Sequence, residues 1–195
     1  MKALRSGLLV ALAGTSVTCA HLPTSPQNQP ITEGPAGRTY TNQKAGFQIT
    51  LPKPLDTSWG MTIQEFPRNG PLPDGSGLNV IIRAPGGRDG FRPALSVDPI
   101  AVNERKTLSE VRADVTKSFT DNFRDYRESS HESVLVAGHE AERWFFRATT
   151  AGAGTTFVAT VLINGRVGWI IQGSGITGYF PSSEFDTIVK TIKFI

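Results

Sequence analysis

Two histidine–glutamate pairs, eight positions apart, are the first candidates for chemistry in this sequence. His131 is followed by Glu132, and His139 is followed by Glu140. The zinc-protease pattern needs a second histidine three residues after the glutamate, and Leu135 stands there instead. Because neighbouring residues of a strand point to opposite faces, each pair is expected to split across a sheet. We therefore predict neither a metal site nor a catalytic residue at these pairs.

A glycine-rich segment, Gly173–Gly178, matches the G-x-G-x-x-G pattern of dinucleotide-binding loops. Such a site also needs a helix that starts at the third glycine within a βαβ unit. Phe180 and Pro181 follow at once, which leaves no room for that helix. We expect a flexible loop and predict no cofactor. Ser174 does not fit a nucleophile elbow, since Gln172 stands where G-x-S-x-G has its first glycine.

Three arginines could form a binding surface with a tryptophan. Arg143, Arg147 and Arg166 are candidates for one polar sheet face, with Trp144 or Trp169 nearby. Arginine stacked on tryptophan can serve recognition. The other interpretation is an ordinary solvated sheet face, which the sequence favours. No combination of serine, histidine and aspartate has a distinctive spacing.

The N-terminus has the layout of an export signal. A basic start is followed by the short apolar stretch 8–14, which is too short to span a bilayer. The only cysteine, Cys19, comes next and resembles the lipidated cysteine of bacterial lipoproteins. That pattern prefers leucine three residues before the cysteine and a small residue just before it, whereas Ser16 and Thr18 stand there. The other interpretation is ordinary signal cleavage, which would release a secreted protein.

The sequence predicts three segments. Residues 1–19 are predicted to be a lipoprotein-type signal peptide, and the proline-rich residues 20–37 a flexible tether. Residues 38–195 are long enough for a single domain. Removal of Lys2 and Arg5 with the signal lowers the formal net charge from +3 to +1. A chain so near neutral has no broad basic surface, so we predict no nucleic-acid binding.

Short runs rich in apolar residues, which alternate with polar residues in the first two runs and are separated by turn signals, predict eight strands in the domain. They are expected at residues 46–51, 60–66, 78–84, 94–102, 133–137, 139–148, 155–163 and 166–172. The dipeptide Asn164-Gly165 between apolar runs predicts a two-residue type I′ hairpin turn.

Two helices are predicted from apolar residues at three- and four-residue steps. The longer covers Thr107–Arg127 and begins with a T-x-x-E capping box that ends at Glu110. The shorter covers Ser183–Lys193, with Ser183 and Asp186 as its capping pair. Since helices do not alternate with every strand, the order predicts an α+β fold with an antiparallel β-sheet.

The domain resembles the PsbP-like domains. The resemblance rests on Tyr40-Thr41-Asn42, on Gly46–Pro52 with Trp59 after it, and on the long helix after T-L-S-E-V. It also rests on the pair of strands from Val136-Ala137-Gly138 onward and on a closing helix that ends with Thr191–Ile195. It implies a three-layer α/β/α sandwich, in which the antiparallel sheet is flanked by helices. It also implies kinship with binding and assembly proteins, among them bacterial lipoproteins. No shared catalytic motif accompanies the resemblance, so no site residue is carried over.

We therefore expect a lipid-anchored protein of the bacterial cell envelope. Its domain would be a non-catalytic binding or assembly module with an envelope protein as partner. Ala20 follows the cysteine where inner-membrane retention needs aspartate, which favours the periplasmic side of the outer membrane. The alternative is a secreted or periplasmic envelope enzyme, a hydrolase before other classes. A deep pocket joining His131 or His139 to a carboxylate would favour the enzyme, and a shallow surface with exposed aromatic residues would favour the module.

We predict that Cys19 becomes the mature N-terminus and carries a diacylglyceryl group on its sulfur. One acyl chain binds a membrane only marginally, whereas two hold a protein there. Intact-mass measurement of the protein purified from its native host should show the lipid on a chain that starts at Cys19. The Cys19→Ala variant should lose both the added mass and the membrane association. An unmodified N-terminus downstream of Cys19 would contradict the prediction.

Overall fold

The computed structural model describes residues 31–66, 70–72, 75–86, 91–103 and 105–195. The predicted signal peptide, Cys19 and most of the predicted tether lie outside these ranges. The strands are β1 (Thr32–Gly34), β2 (Gly37–Asn42), β3 (Phe47–Pro52), β4 (Gly60–Phe66), β5 (Gly77–Arg83), β6 (Ala94–Ala101), β7 (Arg124–Val136), β8 (His139–Thr150), β9 (Ala153–Asn164), β10 (Val167–Ile176) and β11 (Lys193–Phe194). The helices are α1 (Lys53–Asp56), α2 (Leu108–Asn122) and α3 (Ser182–Val189). Within the described ranges, no helix is long and apolar enough to cross a bilayer.

The strands form two antiparallel sheets. The large sheet has the order β4-β5-β6-β10-β9-β8-β7, and the small sheet has the order β1-β2-β3-β11. Thr32 in β1 pairs with Thr39 in β2, so regular pairing begins within the segment 20–37 that was predicted to be a tether. Pro35 lies in the turn between these strands, where its fixed φ and missing N–H are tolerated.

Each face of the large sheet has its own apolar core. On one face, α2 packs over β7, β8 and β9. On the other face lie the small sheet and α3. The prediction of an α+β fold with an antiparallel sheet is confirmed, but the helix-flanked three-layer sandwich is not, because a second sheet supplies much of one covering layer. The sequence analysis missed that layer, since β1, β2 and β11 are short and only β3 was predicted.

The helix α2 begins as predicted and ends earlier. The N–H of Glu110 donates to Oγ1 of Thr107 at 3.3 Å, and the N–H of Thr107 donates to Oε2 of Glu110 at 2.8 Å, so the capping box is present. The helix ends at Asn122 instead of Arg127, and Asp125 adopts a left-handed φ of 58° at the start of β7.

The apolar residues that predicted the last helical turn lie at the C-cap of α2 and in β7 instead. Phe123 and Tyr126 lie beyond the helix and still reach the same aromatic core. The ring centroid of Phe123 lies 4.9 Å from that of Phe157, and that of Tyr126 lies 4.8 Å from that of Phe146. Both rings therefore reach this core although the helix is shorter than predicted.

The C-terminal helix α3 is also shorter than predicted. It covers Ser182–Val189, and Lys193 lies in β11, paired with Gln48 of β3. The predicted capping pair is wrong, because Pro181 occupies the N-cap position without a side-chain cap and the Ser183 hydroxyl donates to Glu184.

The predicted hairpin between β9 and β10 is present, but its turn lies one residue later. Asn164 pairs with Val167, so Gly165 and Arg166 are the two turn residues. Of these, only Gly165 has a positive φ, at 62°. A positive φ at the first turn residue alone is the geometry of a type II′ turn, so the predicted type I′ turn is wrong.

The glycine-rich segment is a strand, not the predicted flexible loop. Residues 173–176 continue β10 and pair with β9. A Cβ atom on Gly173 would lie 2.7 Å from Cδ2 of Phe185 in α3, and one on Gly175 would lie 3.2 Å from Cα of Phe180. Glycine at alternate positions of a strand thus lets another segment approach one face closely. The glycine spacing that resembles a phosphate-binding loop therefore allows α3 and the segment before it to pack closely on β10.

Replacement of Phe119 tests the core under α2. Phe119 is 1% exposed, and its ring packs on Trp144 and Phe146. Phe119→Ala is expected to lower the free energy of unfolding by about 3–5 kcal/mol, measured by urea denaturation. Lys117→Ala is the control, because Lys117 makes only a solvent-exposed ion pair with Asp121, worth about 0.5 kcal/mol. Equal, small losses for both variants would mean that α2 does not pack as described.

Replacement of Gly173 tests the close approach of α3. The added methyl group of Gly173→Ala would overlap the ring of Phe185 and the side chain of Val158. Overpacking of this kind is expected to cost about 1–3 kcal/mol of unfolding free energy. Gly60→Ala is a matched control on β4, since a Cβ atom there meets nothing within 4 Å. A neutral Gly173→Ala variant would contradict the packing reason for this glycine.

Candidate binding surface

The β7–β8 hairpin carries both histidine–glutamate pairs. Ala137 and Gly138 form its two-residue turn, with φ of 51° and 82°. Two positive φ values fit a type I′ turn, which matches the twist of the flanking strands. Val136 and His139 are the last paired residues before the turn. The predicted residues therefore lie at one end of the large sheet, at its edge.

The first pair splits across the sheet, as predicted. His131 lies on the face that α2 covers, where its Nε2 contacts Oε2 of Glu142 on β8. Glu132 lies on the opposite face, with Oε1 3.8 Å from Nη1 of Arg143.

The second pair splits as well. The His139 ring meets Phe194 of β11 edge-on, with centroids 5.1 Å apart, on the face of the small sheet. Glu140 lines a depression on the other face, beside Glu142. The four side chains of the two pairs therefore do not converge. Within the described ranges, no group of three or more histidine, cysteine, aspartate or glutamate residues is arranged to hold a metal ion.

A serine, a glutamate and a histidine are in contact on the α2 face. Oγ of Ser133 donates to Oε1 of Glu142 at 3.3 Å, while Nε2 of His131 contacts Oε2 of the same carboxylate. Activation of a serine nucleophile needs the imidazole next to the hydroxyl, with the carboxylate behind it. Here the carboxylate lies between the other two groups. The arrangement orients the Glu142 carboxylate and does not activate Ser133.

Two depressions flank the end of the hairpin, one on each face. The larger, on the α2 side, has a volume of about 430 Å³ and is lined by Leu108, residues 133–135 and residues 140–142. The smaller, on the α3 side, has a volume of about 230 Å³ and is lined by residues 135–137 together with Arg143, Asp186, Val189 and Lys190. Leu135 borders both and is 73% exposed.

Arg143 is the charged centre of the α3 side. Its side chain is only 17% exposed, and its Nη1 lies 3.2 Å from Oδ1 of Asp186 in α3. Oε1 of Glu132 lies 3.8 Å from the same nitrogen, so the cation has two carboxylate partners. This ion pair ties α3 to the edge hairpin.

The three arginines predicted to share one face do not assemble. Arg147 lies exposed on β8, and Arg166 lies in the turn between β9 and β10. Trp144 does stack with an arginine, but the partner is Arg112 of α2, whose Cζ lies 5.3 Å from the ring centroid. The sequence analysis missed Arg112 because a helical position says little about which ring of a sheet it will cover.

Arg112 also belongs to a small polar network at the start of β7. Its Nη2 donates to Oε1 of Glu128, and the Tyr126 hydroxyl donates to Oε2 of the same carboxylate at 3.3 Å. Burial, followed by the charge of Glu128, raises the pKa of Tyr126 to about 12. The network joins α2 to the edge strand.

A second polar surface lies on the part of the large sheet that α2 does not cover. Asn79 of β5 donates through Nδ2 to Oδ1 of Asp98 on β6. Burial raises the pKa of Asp98 above its usual value, against the opposing effect of hydrogen bonds from Asn79 and Ser96. Exposed Thr62 and Gln64 of β4 continue this face. In the sequence, the alternation of polar residues in these strands was the signal that could have indicated this polar face.

Comparison with known proteins shows similarity of structure and not of sequence. No protein-family model and no curated protein sequence matches the chain significantly. Among solved structures, cyanobacterial PsbP from Synechocystis sp. PCC 6803 has a TM-score of 0.57 at 18% identity, over 88% of this chain and 100% of that one.

Two further structures share the fold. LpqN of Mycobacterium tuberculosis, described as involved in cell envelope biogenesis, has a TM-score of 0.53 at 11% identity, over 82% of this chain and 86% of that one. A protein from Bacteroides thetaiotaomicron VPI-5482 has a TM-score of 0.53 at 10% identity, over 82% of this chain and 49% of that one. The resemblance predicted from Tyr40-Thr41-Asn42 and Gly46–Pro52 is confirmed at the level of the fold. The chain has a PsbP-like fold.

Proposed function

We propose that this protein is a lipid-anchored cell-envelope lipoprotein whose PsbP-like domain binds or assembles with another envelope protein and does not catalyse a reaction. The anchor is Cys19, followed by a proline-rich segment that spaces the domain from the membrane. The structural likeness to LpqN, an envelope-biogenesis protein, is consistent with an envelope location. On this proposal the domain lies on the periplasmic side of the outer membrane.

The end of the β7–β8 hairpin carries the proposal. A single exposed apolar side chain is common on protein surfaces and needs no explanation. Leu135 differs because it stands between two depressions, next to the exposed turn residues Ala137 and Gly138. An apolar side chain with recesses on both sides and charged groups around it has the anatomy of an interface core with a polar rim.

An envelope hydrolase is the second candidate function. The contact of Ser133, His131 and Glu142 is the observation in its favour. The order of these groups speaks against it, because the carboxylate occupies the place that a catalytic imidazole would need. The binding module is therefore the better supported proposal.

Site-specific photocrosslinking tests the proposed surface. A photoreactive amino acid is placed at Leu135 in the full-length protein, expressed in its native host. A matched variant carries it at Gln64, which is exposed on the opposite edge of the large sheet. We expect a discrete crosslinked protein from position 135 and none from position 64. Crosslinks mainly from position 64 would move the binding surface to the polar face of β4–β6.

An esterase assay tests the second candidate. The purified full-length protein is not expected to hydrolyse p-nitrophenyl esters with saturable kinetics. A saturable activity that Ser133→Ala abolishes, and that Ser129→Ala leaves intact, would make the hydrolase the better account. Ser129 is the matched control because it is an exposed serine of the same strand whose hydroxyl donates to the backbone carbonyl of Phe145.

A further inference from the structure

We propose that the partner binds by strand addition: an extended segment of another protein pairs with the outer edge of β7 over Ser130–Val136. Side chains of this segment would alternate between the two faces of the sheet. Those on the α2 face would be lysine or arginine, and those on the α3 face would be apolar. The inference deepens the proposed function and rests on it.

The outer edge of β7 is open in the half that ends at the hairpin turn. Among the described residues, β7 pairs only with β8. Its two register shifts lie between Arg124 and Arg127 and between Glu128 and Ser130, whereas the pairing of Ser130–Val136 is unbroken. Bulges, prolines and charged side chains, lysine above all, are the usual protection of an edge strand. The half after Ser130 has no bulge, lysine or proline, and its one carboxylate, Glu132, pairs with Arg143 on the neighbouring strand.

The hairpin geometry makes backbone groups available at this edge. Val136 and His139 close a two-residue turn, which makes them a hydrogen-bonded pair in a hairpin of this type. Because hydrogen bonding alternates along an antiparallel pair, the N–H and C=O groups of Leu135, Ser133 and His131 point away from β8. An added strand would satisfy these groups, as strand addition does in known peptide-binding domains.

On the α2 face, the negative charge of two glutamates favours basic side chains in the added strand. Glu140 and Glu142 line the depression there, and the short side chain of Ser133 lies between Glu142 and the edge. Strands are about 4.8 Å apart, so β8 lies roughly 10 Å from an added strand. A lysine or arginine can cross that distance with its aliphatic stem over β7 and its charge at the carboxylates.

The α3 face favours apolar side chains. Val134 is half-buried there, and Val136 and Val189 line the smaller depression. The cation of Arg143 is already matched by Asp186 and Glu132, so an incoming carboxylate has little to gain. Apolar contact on the α3 face and charge pairing on the α2 face together favour a partner segment in which basic and apolar residues alternate.

A second copy of this chain does not fit the same edge. Its own residues 130–136 contain neither lysine nor arginine. Pairing of two β7 edges would therefore place no lysine or arginine over Glu140 and Glu142. A β7–β7 dimer therefore lacks the alternating chemistry described, and we assign the segment to a different protein.

Backbone-methylated peptides test strand addition directly. The probe is an acetylated and amidated peptide of alternating lysine and valine, matched in length to Ser130–Val136, titrated into the full-length protein in detergent. Two analogues carry N-methyl groups, one on every lysine and the other on every valine. In an extended strand, alternate N–H groups point to opposite edges. We expect one analogue to lose binding at least tenfold and the other to bind as the parent does.

Variants of the protein test the charge rule. Glu140→Gln combined with Glu142→Gln is expected to weaken the lysine–valine peptide at least tenfold. Asp114→Asn combined with Asp121→Asn is the matched control, because it removes two exposed carboxylates of α2, neither of which lines the depression at the hairpin. Ser133→Pro removes an outward N–H and should abolish binding. Proline is tolerated at edge positions that face solvent, and an unchanged melting temperature will show that each variant is folded.

Several outcomes would overturn the inference. Equal effects of the two methylated peptides would exclude strand pairing, and equal effects of the glutamine variant and the asparagine control would exclude the charge rule. No binding up to millimolar peptide, or a dimer of the protein that the peptide dissociates, would also overturn it. A crosslinked partner at position 135 combined with any of these results leaves the proposed function standing and refutes only the strand mechanism. If no crosslink forms at position 135 but the peptide still binds at the edge of β7, the strand mechanism stands and the proposed function is refuted.

Discussion

The position of α2 on the large sheet decides what the rest of this molecule can present to a partner. Phe119 packs against Trp144 and Phe146, and Phe123 lies against Phe157, which places the helix over β7, β8 and β9. The middle of β8 and of β9 is consequently buried on the α2 face. Strands β4, β5 and β6 carry polar side chains on that side of the sheet, among them the hydrogen-bonded pair of Asn79 and Asp98.

The opposite face of the large sheet is covered by α3 and the small sheet, not by α2. The β7–β8 hairpin lies at the edge where the coverings of the two faces come together. Gly173 lets Phe185 of α3 press against β10, and Asp186 one residue later pairs with Arg143 on β8. The start of α2 at Leu108 borders the hairpin on one side, and Val189 of α3 borders it on the other. The two depressions therefore result from two helices that approach the same edge from opposite faces and stop short of it.

Local patterns in the sequence predicted the elements well and their boundaries less well. The capping box at Thr107 and the apolar steps through Phe119 located α2, because both signals act within a few residues. Its end was missed, since Phe123 at the C-cap and Tyr126 in β7 pack against the same core as the residues of the helix. The role of Gly173 and Gly175 was predicted wrongly because these glycines allow α3 and the segment before it to approach β10 closely. That approach is a tertiary contact, which the local sequence does not show.

For the candidate surface, the sequence predicted which side chains lie on opposite faces of the sheet better than it predicted which side chains are in contact. The splitting of His131 from Glu132 and of His139 from Glu140 follows from strand geometry alone, and it is confirmed. Contacts between strands, such as Glu142 with His131, depend on register, which the hairpin turn sets and which no single segment shows. The open edge of β7 was likewise invisible, because β7 was predicted only from residue 133 onwards and the order of strands was not predicted.

Hydrogen exchange of the full-length protein, compared between native envelopes and the purified state, tests the central claim that the hairpin end is the partner-binding surface. The account predicts slower amide exchange in the envelope at residues 131–142 and unchanged exchange in β4 and β5. Protection confined to β4–β6, or no difference between the two states at the hairpin, would contradict it.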